Sequence, residues 1–389
     1  MICDLCTSES FEFFSLGKQP LANKYPKTHS DFKTEQFHDV NVHFCPRCKN
    51  IQLDTKISRE TMFVDYYYLS SVNQGLVEHY SKFACTLAGS RFVVDIGSND
   101  GISLKPLKEM GIKALGVEPS ENISRIANDA GLETICGFFN GEIIENIVKW
   151  YGKPDVITGL SMFSHLEDPH VFLEDVKTLL SDDGRFIVEV EYNAKILENL
   201  SFERFYLDRI FYFSVTSFQA LFREHGMVLV DAEMTDIHGG SLRVTGKTNG
   251  EPSQRTLDLL DKESRLLTLD AAREFGKESQ LQVASLKQIL KKYKDDGLKV
   301  AGYGCPARAA TITNLADIDE CLIEFIVDNS PLKQSRFSPG KHIPIVNTDY
   351  LEVRDVDVLI VFAFEYFEEI RKGLKKNYRF LFPIPPREV

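Results

Sequence analysis

The sequence FVVDIGSNDG, from Phe92 to Gly101, joins an apolar run to a turn that carries two glycines. A helical pattern follows the turn, and this order predicts the first strand–turn–helix unit of a doubly wound α/β sheet. Glycine lets a ligand come close to the backbone of such a turn, and the helix that follows directs its free N–H groups to the same place. These residues therefore predict a ligand site at the carboxyl end of the strand.

A second apolar run, ALGVEP, ends in Glu118 and Pro119, about 20 residues after Asp95. A carboxylate at the end of this second strand can hold both hydroxyl groups of a ribose. The turn lacks the GxGxxG spacing of dinucleotide sites, and no Gly-Lys-Ser/Thr of a P-loop follows it. The remaining pattern resembles that of class I S-adenosylmethionine (SAM) methyltransferases, although a glycine turn alone could serve other nucleotides.

Length and composition limit the classes of protein to consider. The 389 residues are 43% hydrophobic and carry a formal net charge of −12, so we expect two or three folded domains. The acidic balance disfavours binding to nucleic acid or to an anionic membrane surface, and an anionic substrate would need a local basic site. No apolar run approaches the ~20 residues of a membrane helix, and no signal-like segment precedes Cys3. We expect a cytoplasmic protein, either a monomer or a weak homodimer.

Two CxxC motifs mark the N-terminal region, Cys3–Cys6 and Cys45–Cys48. A lone CxxC could be a redox motif, but a second pair favours a metal site. Four thiolates fit tetrahedral zinc and leave no open position for an activated water. The motifs therefore predict a structural zinc site with Cys3, Cys6, Cys45 and Cys48 as its ligands.

Between the cysteines and the glycine turn lies an aromatic and amide-rich segment, Tyr66-Tyr67-Tyr68 followed by Ser70–Gln74. An amphipathic helix follows it. The segment either covers the bound cofactor as a lid or packs between domains, and the sequence does not distinguish the two.

Three further stretches carry candidate active-site residues. His165 follows the fourth strand of the predicted sheet, at the edge where open α/β sheets bind ligands. Residues 202–213 read FERFYLDRIFYF and place Asp208 and Arg209 among aromatic rings, either for function or as an ion pair at a domain seam. The loop HGGSLR, from His238 to Arg243, could accept a phosphate or a sugar.

The C-terminal part repeats the strand–turn–helix pattern after a helical linker. KVAGYG enters a glycine turn, CPAR opens the next helix, and Asp328 ends the next strand. Arg308 near a helix N-terminus suits a diphosphate, because a guanidinium and free backbone donors then face the same anion. We predict a Rossmann-type domain that binds substrate rather than a second SAM. The predicted domains are 1–70 (zinc binding), 71–250 (SAM-dependent methyltransferase) and 251–389 (helical linker and Rossmann-like substrate-binding domain).

The order of these motifs resembles that of the SAM-dependent sugar C-methyltransferases that make branched-chain deoxysugars. The resemblance spans nearly the whole chain. It implies an α/β fold in which a class I methyltransferase sheet stands between a zinc-binding domain and a second Rossmann-like domain. The resemblance rests on the four cysteines, residues 94–101, residues 238–243, GYGCPAR at 302–308 and PGKHIPI at 339–345.

The resemblance also implies a reaction. Family members remove a proton from the carbon beside the ketone of a nucleotide-linked 4-keto-6-deoxy sugar, and the resulting enolate takes the methyl group of SAM. They carry Asn-Asn-Val-x-Ala-His and Tyr-His-Glu-His segments, which here read LSMFSH (160–165) and YLDR (206–209). His165 and Tyr206 are kept, Asp208 replaces the glutamate, and Arg209 replaces the histidine expected to act as the base.

Arg209 cannot be that base, because a guanidinium stays protonated. His165 or Asp208, with help from Tyr206, would then remove the proton while Arg209 holds the enolate. Alternatively, the protein methylates a hydroxyl group, or it has lost catalysis and serves as a nonenzymatic sugar-nucleotide binder. We favour C-methylation with His165 as the base.

These patterns predict three sets of site residues. The predicted SAM contacts are Asp95, Gly97, Ser98, Asn99, Gly101, Glu118, Pro119 and Ser161. The predicted substrate contacts are His238, Ser241, Arg243 and Arg308. The predicted catalytic residues are His165, Tyr206, Asp208 and Arg209.

Overall fold

The computed structural model describes residues 1–63 and 68–389, and these residues form three β-sheets. In chain order the strands are β1 Phe11–Pro20, β2 Phe37–Phe44, β3 Ile51–Leu53, β4 Phe92–Ile96, β5 Lys113–Glu118, β6 Thr134–Cys136, β7 Val156–Leu160, β8 Arg185–Glu191, β9 Phe211–Tyr212, β10 Val228–Thr235, β11 Ser241–Lys247, β12 Val300–Tyr303, β13 Ile326–Val327, β14 Arg336–Phe337, β15 Pro344–Val346, β16 Val358–Val361, β17 Arg379–Pro383 and β18 Pro386–Glu388.

The helices lie between these strands. They are α1 Arg59–Phe63, α2 Gln74–Cys85, α3 Leu104–Glu109, α4 Glu121–Asp129, α5 Gly141–Tyr151, α6 Pro169–Leu179, α7 Asn193–Glu198, α8 Val215–Glu224, α9 Gln254–Leu266, α10 Leu269–Asp295, α11 Ala307–Leu315, α12 Tyr350–Val353 and α13 Phe367–Gly373. Among the described residues, no helix has both the length and the apolar character needed to cross a membrane.

The central sheet has the strand order β10-β11-β8-β7-β4-β5-β6. Strands β4 to β8 are parallel, and β11 runs antiparallel to its neighbours β8 and β10. All five residues of β4 are buried, as expected for a strand covered on both faces. Strand order reverses beside β4, so the glycine turn after β4 lies at the point where such sheets bind ligands. The predicted doubly wound class I sheet is confirmed.

The N-terminal sheet is antiparallel, in the order β1-β2-β3-β9. Its last strand comes from the aromatic stretch 202–213, where only Phe211 and Tyr212 form a strand and residues 202–204 form a short 3-10 turn. Phe202 and Phe205 of the same stretch are fully buried. The stretch therefore ties the N-terminal sheet to the rest of the protein through its apolar rings.

The C-terminal sheet, in the order β14-β15-β13-β12-β16-β17-β18, shares a hydrophobic core with the N-terminal sheet. The long helix α10 connects them, and its stripe of Phe275, Leu286, Leu290 and Tyr293 is buried. A Cβ atom at Gly276 would lie 2.2 Å from the carbonyl oxygen of Phe13, so only glycine lets this helix approach β1 so closely.

Candidate active site

A cavity of about 520 Å³ lies where the three parts of the chain meet. Asn23 and Tyr25 of the N-terminal region, Glu118 of the central sheet, and Arg308 and Lys333 of the C-terminal part all line it. A ligand in this cavity would therefore contact all three parts at once.

The glycine turn after β4 forms one wall of the cavity. Gly97 adopts a φ of +72°, and its N–H donates to the carbonyl of Val117 at 2.8 Å. The two oxygens of the Glu118 carboxylate accept the N–H groups of Asn99 at 3.0 Å and Ser120 at 2.9 Å. Burial raises the pKa of Glu118. Each of its oxygens has accepted one hydrogen bond and can accept another, as the two hydroxyls of a ribose require.

Asp95 and Gly101 hold the turn in shape. Each carboxylate oxygen of Asp95 accepts a hydrogen bond from a hydroxyl group, one from Ser103 and the other, at 2.6 Å, from Thr158. Burial raises the pKa of Asp95 to about 6. Gly101 has a φ of +83°, and a Cβ there would lie 2.5 Å from Leu132. Asp95 lines the cavity, as predicted for a SAM contact. Gly101, also predicted as a SAM contact, does not line the cavity and instead shapes the turn through its positive φ and its close approach to Leu132.

Part of the segment predicted as a lid lies against this turn. The Asn99 side chain accepts the N–H of Ser70 at 2.9 Å and donates to the carbonyl of Tyr68 at 3.2 Å. Tyr68, Ser70 and Asn73 line the cavity, and the Asn73 amide donates to the hydroxyl of Tyr366 at 2.5 Å. The segment thus both faces the cavity and packs between domains. Tyr66 and Tyr67 lie outside the described residues.

The remaining predicted SAM contacts also lie at this wall. Ser98, Pro119 and Ser161 line the cavity. Ser161 has a φ of +60°, and its hydroxyl lies 3.2 Å from that of Tyr80. The structure therefore brings the predicted cofactor set together at the cavity except for Gly101, and the individual contacts with SAM remain predictions.

A chain of alternating charges forms a second wall. The carboxylate of Glu191 lies 2.5 Å from Arg209 and 2.9 Å from Arg204, while Glu365 contacts Arg204 and lies 3.0 Å from Arg308. Burial alone would raise the pKa of Glu191, but Arg209 and Arg204 outweigh it and lower that pKa to about 2. Glu203 also lies 3.7 Å from Arg204, so three guanidinium groups face three carboxylates. An anionic ligand would therefore pair with individual guanidinium donors rather than with an excess of positive charge.

The predicted catalytic residues lie together beside this charged wall. His165, Tyr206, Asp208 and Arg209 all line the cavity, as does His238. The Nδ1 atom of His165 contacts the backbone carbonyl of Asp208, which only accepts hydrogen bonds, so Nε2 is the acceptor of the neutral ring. Burial, followed by Arg209, lowers the pKa of His165 to about 4, and burial lowers that of His238 to about 4. Both imidazoles are therefore neutral at pH 7.

In the carboxylate of Asp208, one oxygen atom has a hydrogen-bond partner and the other has none. Its Oδ2 atom accepts the Asn23 side-chain N–H at 2.5 Å. Its Oδ1 atom is buried and has no hydrogen-bond partner among the described residues. Burial raises the pKa of Asp208 to about 6.

Ser241 and Arg243, predicted to contact the substrate, do not line the cavity. Arg243 lies opposite Glu189 in the β11–β8 pairing, and its Nε donates to that carboxylate at 2.9 Å. Its guanidinium also covers the ring of Phe83, and the hydroxyl of Ser241 donates to the carbonyl of Ile237. The structure assigns Arg243 to a cross-strand ion pair, because a strand side chain facing an acid on its neighbour pairs with that acid. Of the predicted substrate contacts, His238 and Arg308 lie at the cavity.

Sequence reasoning missed several residues at the cavity. Asn23, Tyr25, Arg204, Lys333 and Glu365 line it but come from loops or short turns in distant parts of the chain. Arg204 lies in the stretch 202–213 that the sequence had singled out, although its role there was not predicted, and no short motif marks the other four. The only signal was their residue type, which loops share across the chain.

The four cysteines form a compact cluster. All four Sγ atoms lie within 4.8 Å of one another, with Cys3 to Cys48 at 3.6 Å and Cys6 to Cys45 at 3.5 Å. Ligands of a tetrahedral zinc ion with Zn–S bonds of ~2.3 Å are ~3.8 Å apart, so the cluster fits zinc. The predicted structural zinc site is confirmed. With four thiolates it has no position for a reacting group, and its contribution is to the stability of the N-terminal sheet.

Comparison with protein families matches three parts of the chain in order. Residues 3–63 match a zinc binding domain, residues 68–232 a methyltransferase domain, and residues 236–385 a C-methyltransferase C-terminal domain.

Comparison with individual proteins gives one match over the full length. The C-methyltransferase NovU of Streptomyces niveus is 30% identical over 100% of this chain and 96% of NovU. A ubiquinone biosynthesis O-methyltransferase of Cupriavidus pinatubonensis is 30% identical over 28% of this chain and 45% of its own length. Among solved structures, magnesium protoporphyrin IX methyltransferase from Synechocystis with bound SAH is similar at 14% identity and a TM-score of 0.35, covering 44% of this chain and 83% of that one.

Proposed function

Because the chain belongs to the same family of C-methyltransferases as NovU, we propose that it transfers the methyl group of SAM to a carbon beside the ketone of a nucleotide-linked deoxysugar. The family membership confirms the resemblance predicted from the motifs. The chain is a SAM-dependent methyltransferase with a structural zinc site. The nucleotide-linked sugar is our proposal, as is a role in branched-chain sugar biosynthesis.

One observation carries the proposal: a single cavity is lined both by the glycine turn with Glu118 and by the chain of arginines. A methyl donor at the turn and an anionic acceptor at the arginines would then share one enclosed space. The Nη1 atom of Arg308 is buried and has no hydrogen-bond partner among the described residues, so it is available to a phosphate oxygen. Arg308 is the second residue of α11, where backbone N–H groups also favour an anion.

The chemistry requires a proton acceptor, a partner for the developing negative charge, and little water. When bound, SAM supplies a methyl group activated by its positive sulfur. The candidates for the proton acceptor are His165, Asp208 and Tyr206, which line the cavity together. Arg209 stays charged because Glu191 raises its pKa further, so it can stabilise the enolate oxygen. Buried apolar residues such as Phe139 and Leu160 also line the cavity and limit the entry of water.

Hydrogen exchange beside the ketone tests this function directly. Nucleotide-linked keto-sugars deuterated beside the ketone are incubated with the protein in the absence of SAM, and loss of deuterium is followed by NMR. We expect exchange for at least one keto-sugar, and methyl transfer to the same carbon once labelled SAM is added. Methyl transfer without exchange, with the label found on oxygen, would replace C-methylation by O-methylation, the alternative that Arg209 at the expected base position favours.

A further inference from the structure

We propose that the carboxylate of Asp208 removes the proton from the acceptor carbon, and that Asn23 of the N-terminal domain is its positioning residue. This inference rests on the proposed C-methylation and assigns to Asp208 the role of base that the sequence alone favoured for His165. It also gives the zinc-stabilised domain a part in the active site.

Among the described residues, two cavity-lining carboxylates have a buried oxygen without a hydrogen-bond partner, Glu191 and Asp208. The Glu191 oxygen is ion-paired with Arg209 at 2.5 Å, which leaves the Asp208 oxygen as the candidate. Asp208 is only 3% exposed, yet it lines the cavity, and its Oδ1 atom is buried without a hydrogen-bond partner among the described residues. A buried carboxylate oxygen normally has a partner, because an unpaired one loses the hydrogen bonds that water would have made. An acceptor that has no hydrogen-bond partner, on a residue that lines the cavity, can take the proton of a bound substrate.

The neighbouring candidates are less suited. Burial and Arg209 keep the pKa of His165 at about 4, which makes its ring a weak base. Burial raises the pKa of the Tyr206 hydroxyl above its ordinary value, so it keeps its proton at pH 7. The pKa of Asp208, raised to about 6 by burial, lies nearest to neutral pH among the three, where a general base is most effective.

Asn23 fixes the orientation of this carboxylate. Its side-chain N–H donates to Oδ2 at 2.5 Å, which leaves Oδ1 as the open atom. Asn23 follows β1, and two residues later the hydroxyl of Tyr25 donates to the carbonyl of Cys305 at 2.9 Å. The segment that carries Asn23 is therefore held at both ends, by the N-terminal sheet and by the C-terminal domain.

Proton removal comes first and methyl transfer second. The C–H bond beside the ketone breaks, its proton goes to Oδ1 of Asp208, and its electron pair forms the enolate C=C bond as the carbonyl pair moves to oxygen. Arg209 stabilises that oxygen. The enolate carbon then forms a C–C bond with the transferred methyl group while the C–S bond breaks and its pair stays on sulfur. The proton on Asp208 leaves to solvent.

The first test compares exchange in the full-length protein and in Asp208→Asn, which keeps the shape of the side chain and removes the base. S-adenosylhomocysteine is present to fill the donor site. Removal of a general base typically costs about 100-fold or more, so we expect a loss of exchange of at least that size. Affinity for SAM, measured by calorimetry, and zinc content should stay unchanged. Asp54→Asn serves as the control.

The second test uses a matched pair of asparagines. Asn41 also donates its side-chain N–H to a carboxylate, that of Asp54, at 2.8 Å, but this pair is on the surface of the N-terminal domain. We expect Asn23→Ala to lower kcat and the exchange rate about tenfold with little change in KM for the sugar, because it removes a hydrogen bond to a charged group. Asn23→Gln should recover part of the rate, and Asn41→Ala should change neither quantity.

The double variant Asn23→Ala with Asp208→Asn separates positioning from general destabilisation. If Asn23 acts through Asp208, the double variant exchanges no more slowly than Asp208→Asn alone. Exchange that persists at the full rate in Asp208→Asn but is lost in His165→Ala would overturn the assignment and leave the proposed function standing. A native protein that binds SAM but exchanges no keto-sugar would overturn both.

Discussion

Two strand–glycine–helix turns in this protein share a backbone arrangement, one in the central sheet and one in the C-terminal sheet. In the first, the N–H of Gly97 donates to the carbonyl of Val117 at 2.8 Å, and Glu118 accepts two backbone N–H groups. In the second, the N–H of Gly304 donates to the carbonyl of Val327 at 2.7 Å. There the acid at the end of the next strand, Asp328, accepts the N–H groups of residues 305 and 330 at 2.7 and 2.8 Å.

The two turns differ in what covers them. Gly97 and Glu118 line the cavity. The second turn is covered by Tyr25, whose hydroxyl donates to the carbonyl of Cys305, and by Lys333, whose ammonium lies 3.5 Å from Asp328. Asp328 thus already has a cation as its partner, whereas Glu118 has none among the described residues. A glycine turn with an acid therefore makes a ligand site only where the surrounding chain leaves it open.

The largest expected effect comes from removing zinc, because the zinc-stabilised N-terminal domain supplies both Asn23 and Tyr25 to the cavity wall and would lose its fold. Cys48→Ser or a strong chelator should abolish methyl transfer and lower the unfolding temperature, since structural zinc contributes of order 10 kcal/mol in small zinc domains. Elemental analysis and thermal unfolding measure both changes. The exposed Cys321→Ser is the matched control and should leave zinc content intact. Full activity in zinc-free protein would contradict the prediction.

The next largest effect separates the acids of the two turns, Glu118 and Asp328, whose substitution should change the affinity for SAM to different extents. Glu118→Ala would remove the two hydrogen bonds predicted to ribose hydroxyls, each worth about 1.5–3 kcal/mol for a charged acceptor, so SAM affinity should fall about 100-fold or more. Asp328→Ala should change SAM affinity less than twofold. Calorimetry with SAM measures both variants. Equal losses would mean that the second turn also takes part in SAM binding.

Alanine in place of either turn glycine should destabilise the protein to a similar extent, but only one of the two substitutions should also weaken SAM binding. Gly97 and Gly304 have φ of +72° and +80°, and a Cβ atom in either would lie 2.8 Å from a neighbouring Cβ, of Met162 or Ala363. Alanine at either position should therefore cost about 1–2 kcal/mol in the free energy of unfolding, measured by urea titration. Only Gly97→Ala should also weaken SAM binding. Intact SAM binding in that variant would argue against the first turn as the cofactor site.

The smallest effect should come from uncovering the second turn. Tyr25→Phe removes one hydrogen bond to the Cys305 carbonyl and should cost about 1 kcal/mol in the free energy of unfolding. SAM affinity should not change. A gain of nucleotide binding in this variant, detected by calorimetry with the free nucleotide, would show that the tyrosine had been closing a second site.

Features carried by a short stretch of sequence could be predicted. The apolar run before Gly97, the acid at Glu118 and the stripe of Phe275 to Tyr293 on α10 all appear in the structure as expected. Strand, turn and helix patterns repeat every two to four residues, so neighbouring residues already determine them.

Contacts between distant segments could not be predicted. Arg243 was expected in the cavity and instead pairs with Glu189 on the adjacent strand. Asn23 was not expected there at all, and it contacts Asp208. Neither contact follows from local spacing.

The amino-acid sequence alone was thus enough for the zinc ligands, the two glycine turns and the family of the enzyme, because each is carried by short motifs and by the order of those motifs along the chain. Only the tertiary structure shows which turn stays open, which cavity-lining carboxylate keeps an unpaired oxygen, and which arginines reach the cavity. Those properties depend on burial and on charges brought together from three parts of the chain, and local patterns carry no information about either.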